Sequence, residues 1–152
     1  MRLTEAEYLA LIGQAAPAKR KNKHGNIRVY VYKNGFISEE KLPDFGKPEM
    51  VFDSKKEYNR WEELKLLERA KVIENLERQV PIIVSDGYIK DGKEVKPVTY
   101  KADFTYLRDG AFVVEDVKPY DERKCKYLTT KDFNLKWKIM RGRYPNYTFE
   151  IY

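Results

Sequence analysis

The stretch that most constrains how this chain can fold is residues 98–118, VTYKADFTYLRDGAFVVEDVK. Val98, Thr99, Tyr100, Phe104, Thr105 and Tyr106 are β-branched or aromatic, Arg108-Asp109-Gly110 is turn chemistry, and Ala111 to Val117 is apolar enough for a central strand. The pattern predicts a hairpin of two adjacent strands. Alternation along the second strand puts Phe112, Val114, Asp116 and Lys118 on one face, with Val113, Glu115 and Val117 on the other. Two ionisable residues thus extend one apolar row. Antiparallel pairing brings Asp103, near the middle of the first strand, across from the Asp116 end of the second. Two carboxylates and an ammonium then converge, and like charges on a half-buried sheet are costly unless a cation neutralises them. Carboxylate oxygens suit Mg2+ or Mn2+, and the lysine is placed to orient water or stabilise phosphate. The plainer alternative for an Asp-x-Lys spacing is an edge hairpin with solvated side chains.

Asp103 followed by Asp116-Val117-Lys118 resembles the PD-(D/E)XK nuclease superfamily, in which an Asp, a spacer and then (Asp/Glu)-x-Lys on the next strand form the catalytic site. Further segments are similar to a phage and prophage family of small, resolvase-like nucleases. They are FDSKKE at 52–57, ELKLLERA at 63–70, Gln79, TYKADF at 99–104, EDVK at 115–118 and FNLKWKIMRGRYP at 133–145. Ala102 stands where the superfamily name has Pro. The resemblance implies that Asp103 and Asp116 hold Mg2+ or Mn2+, that Glu57 on the first helix assists, and that Lys118 positions the nucleophilic water. It implies that Lys136 approaches the site across the sheet and that Gln79 lies near the catalytic layer. The implied substrate is DNA, branched as in a four-way junction of phage recombination or packaging, cut by a homodimer.

Length and charge agree with these expectations. A chain of 152 residues with 42% hydrophobic content can bury one core but hardly two, so a single domain is expected, with residues 1–50 preceding a catalytic core at 51–152. The net charge of +6 favours a polyanionic partner. The lone cysteine, Cys125, and lone histidine, His24, lack the clustered partners of a zinc site or a Cys/His nucleophile pair. No apolar run approaches the ~20 residues that span a bilayer and no secretory signal is visible, so the expectation is a cytoplasmic protein without membrane contact.

In chain order, Leu3 to Ile12 has helical spacing, and the cluster Lys19, Arg20, Lys21 and Lys23 reads as a basic arm, either a solvated linker or a contact to DNA backbone. Ile27 to Tyr32, Asn34-Gly35 and Phe36-Ile37 predict an inserted hairpin, possible as a substrate-facing flap with Tyr30 and Tyr32. A helix is expected from about Ser54 to Ala70, with Trp61, Leu64, Leu67 and Ala70 as its apolar stripe. Glu57 has two readings here: the reciprocal half of a capping box with Ser54, or an inward-pointing acid. Lys55 and Lys56 are candidate phosphate contacts. Val80 to Val84 is the first core strand, Tyr88-Ile89 lies in a small β excursion, and Tyr120 to Leu128 reads as a polar segment disordered without DNA. A last helix is expected from Thr129 to about Gly142, capped by Thr129 and Asp132. Lys138, Arg141 and Arg143 are on its surface for phosphate, and Lys136 either snorkels or reaches the site. A strand at Tyr147 to Ile151 closes the chain. The order helix, three-strand meander, helix, strand is the αβββαβ core of the restriction-endonuclease-like fold, an α/β architecture on a mixed sheet with an N-terminal helix and an inserted hairpin.

Overall fold

The computed structural model describes residues 26–152; the expected N-terminal helix and the arm Lys19, Arg20, Lys21 and Lys23 lie outside them. The contacts group the chain into two compact units that meet at Trp61 and Glu62, inside a helix.

In the first unit, β1 (Val29–Val31) pairs antiparallel with β2 (Ile37–Ser38) and with β3 (Met50–Phe52). The Asn34-Gly35 turn forms as expected, with Gly35 at φ 78° and its N–H on Tyr32 O at 2.8 Å. Tyr32 is no flap residue: it is 1% exposed, and its hydroxyl accepts the Leu42 N–H at 2.7 Å. Helix α1 (Lys55–Arg69) begins after Ser54, whose Oγ accepts the Glu57 N–H at 3.0 Å.

The end of α1 shows how tertiary context overrides local preference. Val72 N–H bonds Leu67 O at 2.9 Å and Lys71 N–H bonds Glu68 O at 2.9 Å, which is the 6→1 and 5→2 pairing of a Schellman cap. That cap needs a left-handed residue at its turn, and here Lys71 takes it at φ 57°, where glycine would sit without strain.

The second unit is built on a four-stranded mixed sheet. Strands β4 (Glu74–Ser85), β7 (Val98–Arg108) and β8 (Ala111–Asp116) run antiparallel in succession, and β11 (Thr148–Ile151) joins parallel to β8. The hairpin of β7 and β8 forms where expected, with Arg108 as the last residue of β7 rather than part of the turn and β8 ending at Asp116, one residue before the expected Val117. Asp109 (φ 52°) and Gly110 (φ 77°) form its two-residue turn with both φ positive, the geometry that matches strand twist. Strand β4 starts at Glu74, six residues before the expected Val80, because the backbone of Phe104 to Leu107 supplies partners to a polar segment that its own composition does not mark as a strand. Pro81 is tolerated because β4 is an edge.

Two small hairpins leave this sheet: β5 (Tyr88–Lys90) with β6 (Lys93–Val95), and β9 (Tyr120–Asp121) with β10 (Lys126–Tyr127). The second corrects the expectation of disorder at 120–128. Asp121 Oδ1 accepts the Arg123 and Lys124 N–H groups, and the Tyr120 and Tyr127 rings meet edge to face at 5.1 Å.

Helix α2 (Lys131–Arg143) covers one face of the sheet, with Phe133, Trp137 and Met140 packed on Ile82, Val84, Ala102 and Val114. Its cap is Thr130, one residue later than expected. The extended Thr130 (ψ 161°) presents Oγ1 to the Phe133 N–H at 3.1 Å, which leaves Asp132 in the first turn rather than in a capping pair with Thr129.

Candidate functional site

Strict alternation along β7 would put Tyr100, Ala102, Phe104 and Tyr106 on one face, and the structure does not. Tyr100 packs on the α2 side against Phe133 (5.9 Å) and Trp137 (6.0 Å), and Ala102 belongs to the same core. Phe104 lies opposite Glu115, and the Tyr106 hydroxyl donates to Glu115 Oε2 at 2.7 Å, so these two face the other way. The switch falls at Asp103. The β7–β8 ladder reads Phe104↔Glu115 as its last pair, and beyond it the Asp103 side chain takes over: Oδ2 accepts the Val117 N–H at 2.8 Å. The two strands therefore fork at Asp103 and Asp116, with a carboxylate standing where a carbonyl would continue the ladder. On the other flank Gln79 sits at φ 58° between the pairs Arg78↔Phe104 and Val80↔Ala102, so β4 follows the same switch, and Gln79 Nε2 donates to Asp103 Oδ1 at 3.3 Å. A non-glycine residue held in the left-handed region is local strain at a site that the surrounding ladder over-determines.

At the fork Asp116 is 1% exposed, and both of its oxygens are engaged. The Tyr100 hydroxyl donates to Oδ1 and the Lys118 ammonium to Oδ2. Lys118 also lies over the Phe133 ring, 4.5 Å from its centroid, and its N–H bonds Tyr152 O at 3.0 Å, while Tyr152 N–H bonds Asp116 O at 2.9 Å. Burial pushes the Tyr100 phenol well above the ordinary tyrosine range, and the charges of Asp116, Asp103 and Asp132 add to the shift. The phenol is therefore held as a hydrogen-bond donor.

Asp103 thus bonds Gln79 and the Val117 N–H, and Lys118 bonds the adjoining Asp116. The other candidates have different surroundings. Glu57 is 5% exposed, as an inward-pointing acid would be; its N–H bonds Ser54 Oγ at 3.0 Å, and its Oε2 accepts the Asp53 N–H at 3.1 Å rather than the Ser54 N–H that a reciprocal capping box would use. Lys136 bonds Asp132 at 3.2 Å across one helical turn, one ion pair removed from the field at Tyr100 rather than on Asp116. Lys55 pairs with Glu39, and partial burial lowers the Lys56 ammonium. Lys138 and Arg141 are exposed and line a shallow groove with Phe133, Asn134, Trp137 and Ile151. Arg143 is committed elsewhere: its guanidinium holds both Asp86 oxygens at 2.8 Å. Among the described residues no group of three or more His, Cys, Asp or Glu side chains is placed to hold a metal ion.

Tyr100 and Asp132 are the residues that reasoning from sequence missed. Alternation alone places Tyr100 on the face away from Asp116, and only the switch at Asp103 returns it.

A mixed α/β sheet whose adjacent strands fork at a buried aspartate, a second aspartate and a lysine defines the class of this protein. Residues 47–151 match the family model described as "Protein of unknown function (DUF1064)", and the chain belongs to that family. The match includes Glu57, Gln79, Tyr100, Asp103, Asp116, Lys118 and Lys136 and omits the hairpin of β1 and β2. No curated protein matches the chain. Among the described residues no helix is long and apolar enough to cross a membrane.

Proposed function

We propose that this protein is a metal-dependent deoxyribonuclease of the PD-(D/E)XK kind on a restriction-endonuclease-like core, hydrolysing phosphodiester bonds. The observation that carries the proposal is the fork: Asp103 and Asp116 on adjacent strands, at the point where their ladder stops, with Lys118 against Asp116. A buried carboxylate is costly without a compensating cation, and hard oxygen donors of this kind fit Mg2+ or Mn2+. Asp103 and Asp116 would hold the ion. When bound, the ion would lower the pKa of a coordinated water and offset charge on the phosphorane-like transition state. The chain's own groups supply the rest. Tyr100 donates to Asp116 and orients its carboxylate. Gln79 and the Val117 N–H orient Asp103. Lys118, released from Asp116, offers three donors to water or to a phosphate oxygen.

The substrate we propose is branched DNA, cut by a two-fold dimer whose isologous interface would present two sites to a junction. This part rests on the resemblance together with the +6 charge. Purified protein with Mg2+ or Mn2+ on linear, flapped and four-way DNA is the direct test, and cleavage of none of them with either metal would remove the nuclease reading.

A second reading is favoured by one observation: both Asp116 oxygens are already engaged by protein donors. On that reading the fork is a structural ion pair in a DNA-binding or assembly module without turnover. Binding of four-way DNA with no cleavage would support it.

A further inference from the structure

The hairpin of β5 and β6 lies between Ser85, the last residue of β4, and Val98, the first of β7, so it grows from the same two strands that carry Gln79 and Asp103. All six of its strand residues are exposed, and a two-stranded hairpin of this length is not stable alone in water. Its base is nevertheless pinned. A Cβ on Gly87 would come within 2.8 Å of Val95 O and 3.0 Å of Pro97 Cδ, so the two legs are closely apposed. Beside Gly87, Asp86 is clamped by Arg143 from the end of α2, and Tyr144 donates to Ile83 O at 2.9 Å. These contacts hold the base of the projection to β4 and the end of α2.

The register Tyr88↔Val95, Ile89↔Glu94, Lys90↔Lys93 then sorts the side chains. Tyr88, Val95, Lys90 and Lys93 share one face, while Glu94 and Ile89 share the other. Lys90 and Lys93 stand directly opposite one another, an arrangement that destabilises a hairpin. Neither has an ion-pair partner among the described residues. Next to this pair Tyr88 is 56% exposed, although tyrosine rings gain by burial. A phosphate between two lysines with a sugar or base against an aromatic ring answers all three features at once.

We infer that the Tyr88, Lys90 and Lys93 face of this hairpin is a DNA-docking surface, a phosphate held between the lysines and the adjoining nucleoside on Tyr88. The inference extends the proposed nuclease reading by assigning a second contact on the substrate. Lys93 lies ten residues before Asp103 in the chain, a span of about 34 Å at most at 3.4 Å per residue. That is about ten steps of a duplex strand at 3.4 Å each, so one DNA arm is long enough to reach both places.

The test uses the full chain and duplex DNA in the presence of a chelator, so that binding is measured apart from cleavage. For the double variant Lys90→Ala, Lys93→Ala, the slope of log Kobs against log salt should become shallower by about 0.9 to 1.8, one to two phosphates' worth. Lys93→Glu guards against misfolding as an explanation, since it replaces a cross-strand repulsion with an ion pair. Its Tm should rise or hold while DNA affinity falls. An unchanged slope in the double variant, or Lys93→Glu binding DNA as wild type does, overturns the surface, as does wild-type protein that binds no DNA at low salt. A hairpin-dependent slope in a protein that cleaves nothing keeps the surface and removes only the nuclease reading.

Discussion

Two clusters on opposite faces of β8 are made from nearly the same parts. On the α2 face, Asp116 takes the Tyr100 hydroxyl and the Lys118 ammonium. On the other face its neighbour Glu115, also 1% exposed, takes the Tyr106 hydroxyl; Tyr106 reaches on to Glu150 at 3.5 Å, and Arg108 clasps Glu150 with both terminal nitrogens. Each is a buried acid, a phenol and a cation. The difference is in the backbone. Glu115 sits within an intact ladder, paired with Phe104 on one side and Glu150 on the other, so its network ties three strands in register. Asp116 sits where the β7–β8 ladder has ended and a second aspartate has replaced a carbonyl. The cation differs too: a planar, permanently charged arginine suits a fixed pair, whereas lysine is a mobile point charge that can leave its partner. Residue types alone do not separate a structural network from a candidate active site; the place where hydrogen bonding between strands stops does.

The largest expected effect follows from that contrast. Asp116→Asn should abolish cleavage by orders of magnitude while DNA affinity holds or rises, because a carboxylate facing phosphate repels it. Glu115→Gln should leave turnover near wild type. Parallel cleavage and binding assays decide this, and equal losses of activity in the two variants would erase the distinction between the faces.

Lysine and arginine should separate next. Lys118→Ala leaves a buried Asp116 without its cation and should cost about 3 kcal/mol in chemical denaturation. Arg108→Ala removes a pair that is about one-third exposed on each side and should cost under about 1 kcal/mol. A reversed order would mean that the Glu150 network, not the fork, is the stabilising one.

The phenols supply a pH test. Burial first, and then the neighbouring carboxylates, raises both Tyr100 and Tyr106 above the ordinary value of 10.0. A folded-state pKa raised above the unfolded value adds stability that is fully present below the unfolded pKa and is lost as pH rises from there toward the folded one. Stability should therefore decline above about pH 10, and Tyr100→Phe and Tyr106→Phe should each blunt the decline. Each should also cost roughly 1–3 kcal/mol at neutral pH, through loss of a buried donor to a carboxylate. Denaturation midpoints across pH would show it; a decline untouched by either substitution would place the alkaline lability elsewhere.

The smallest effect lies outside both clusters and calibrates them. Lys71→Gly relieves a left-handed residue at the Schellman cap of α1 and should raise stability by about 1 kcal/mol without changing activity. A loss of stability there would mean that the lysine side chain, not the backbone, holds the helix end.

Much of the architecture was legible in the chain because it depends on neighbours in sequence. The turn at Asp109-Gly110, the run Ala111 to Val117, the Ser54 cap and the stripe of Phe133, Trp137 and Met140 are local signals. The start of β4 and the order at 120–128 were not legible, since a charged segment becomes a strand only when a partner backbone fills its hydrogen bonds. Glu57 shows the limit from the other side: both of its readings were visible in the sequence, and the structure has something of each, an N–H on the Ser54 cap and a buried carboxylate that accepts the Asp53 N–H.

The sequence by itself determined that Asp103 and Asp116 lie on the two strands of one hairpin, with Lys118 just past its end, because turn chemistry and antiparallel pairing are local properties of the chain. Only the tertiary structure decided that Tyr100 joins them and that Glu115 does not. A single switch of alternation at Asp103, matched by Gln79 across the ladder, reassigns the faces on either side of it. Such a break depends on which hydrogen bonds neighbouring strands leave unmade, and no residue spacing records that.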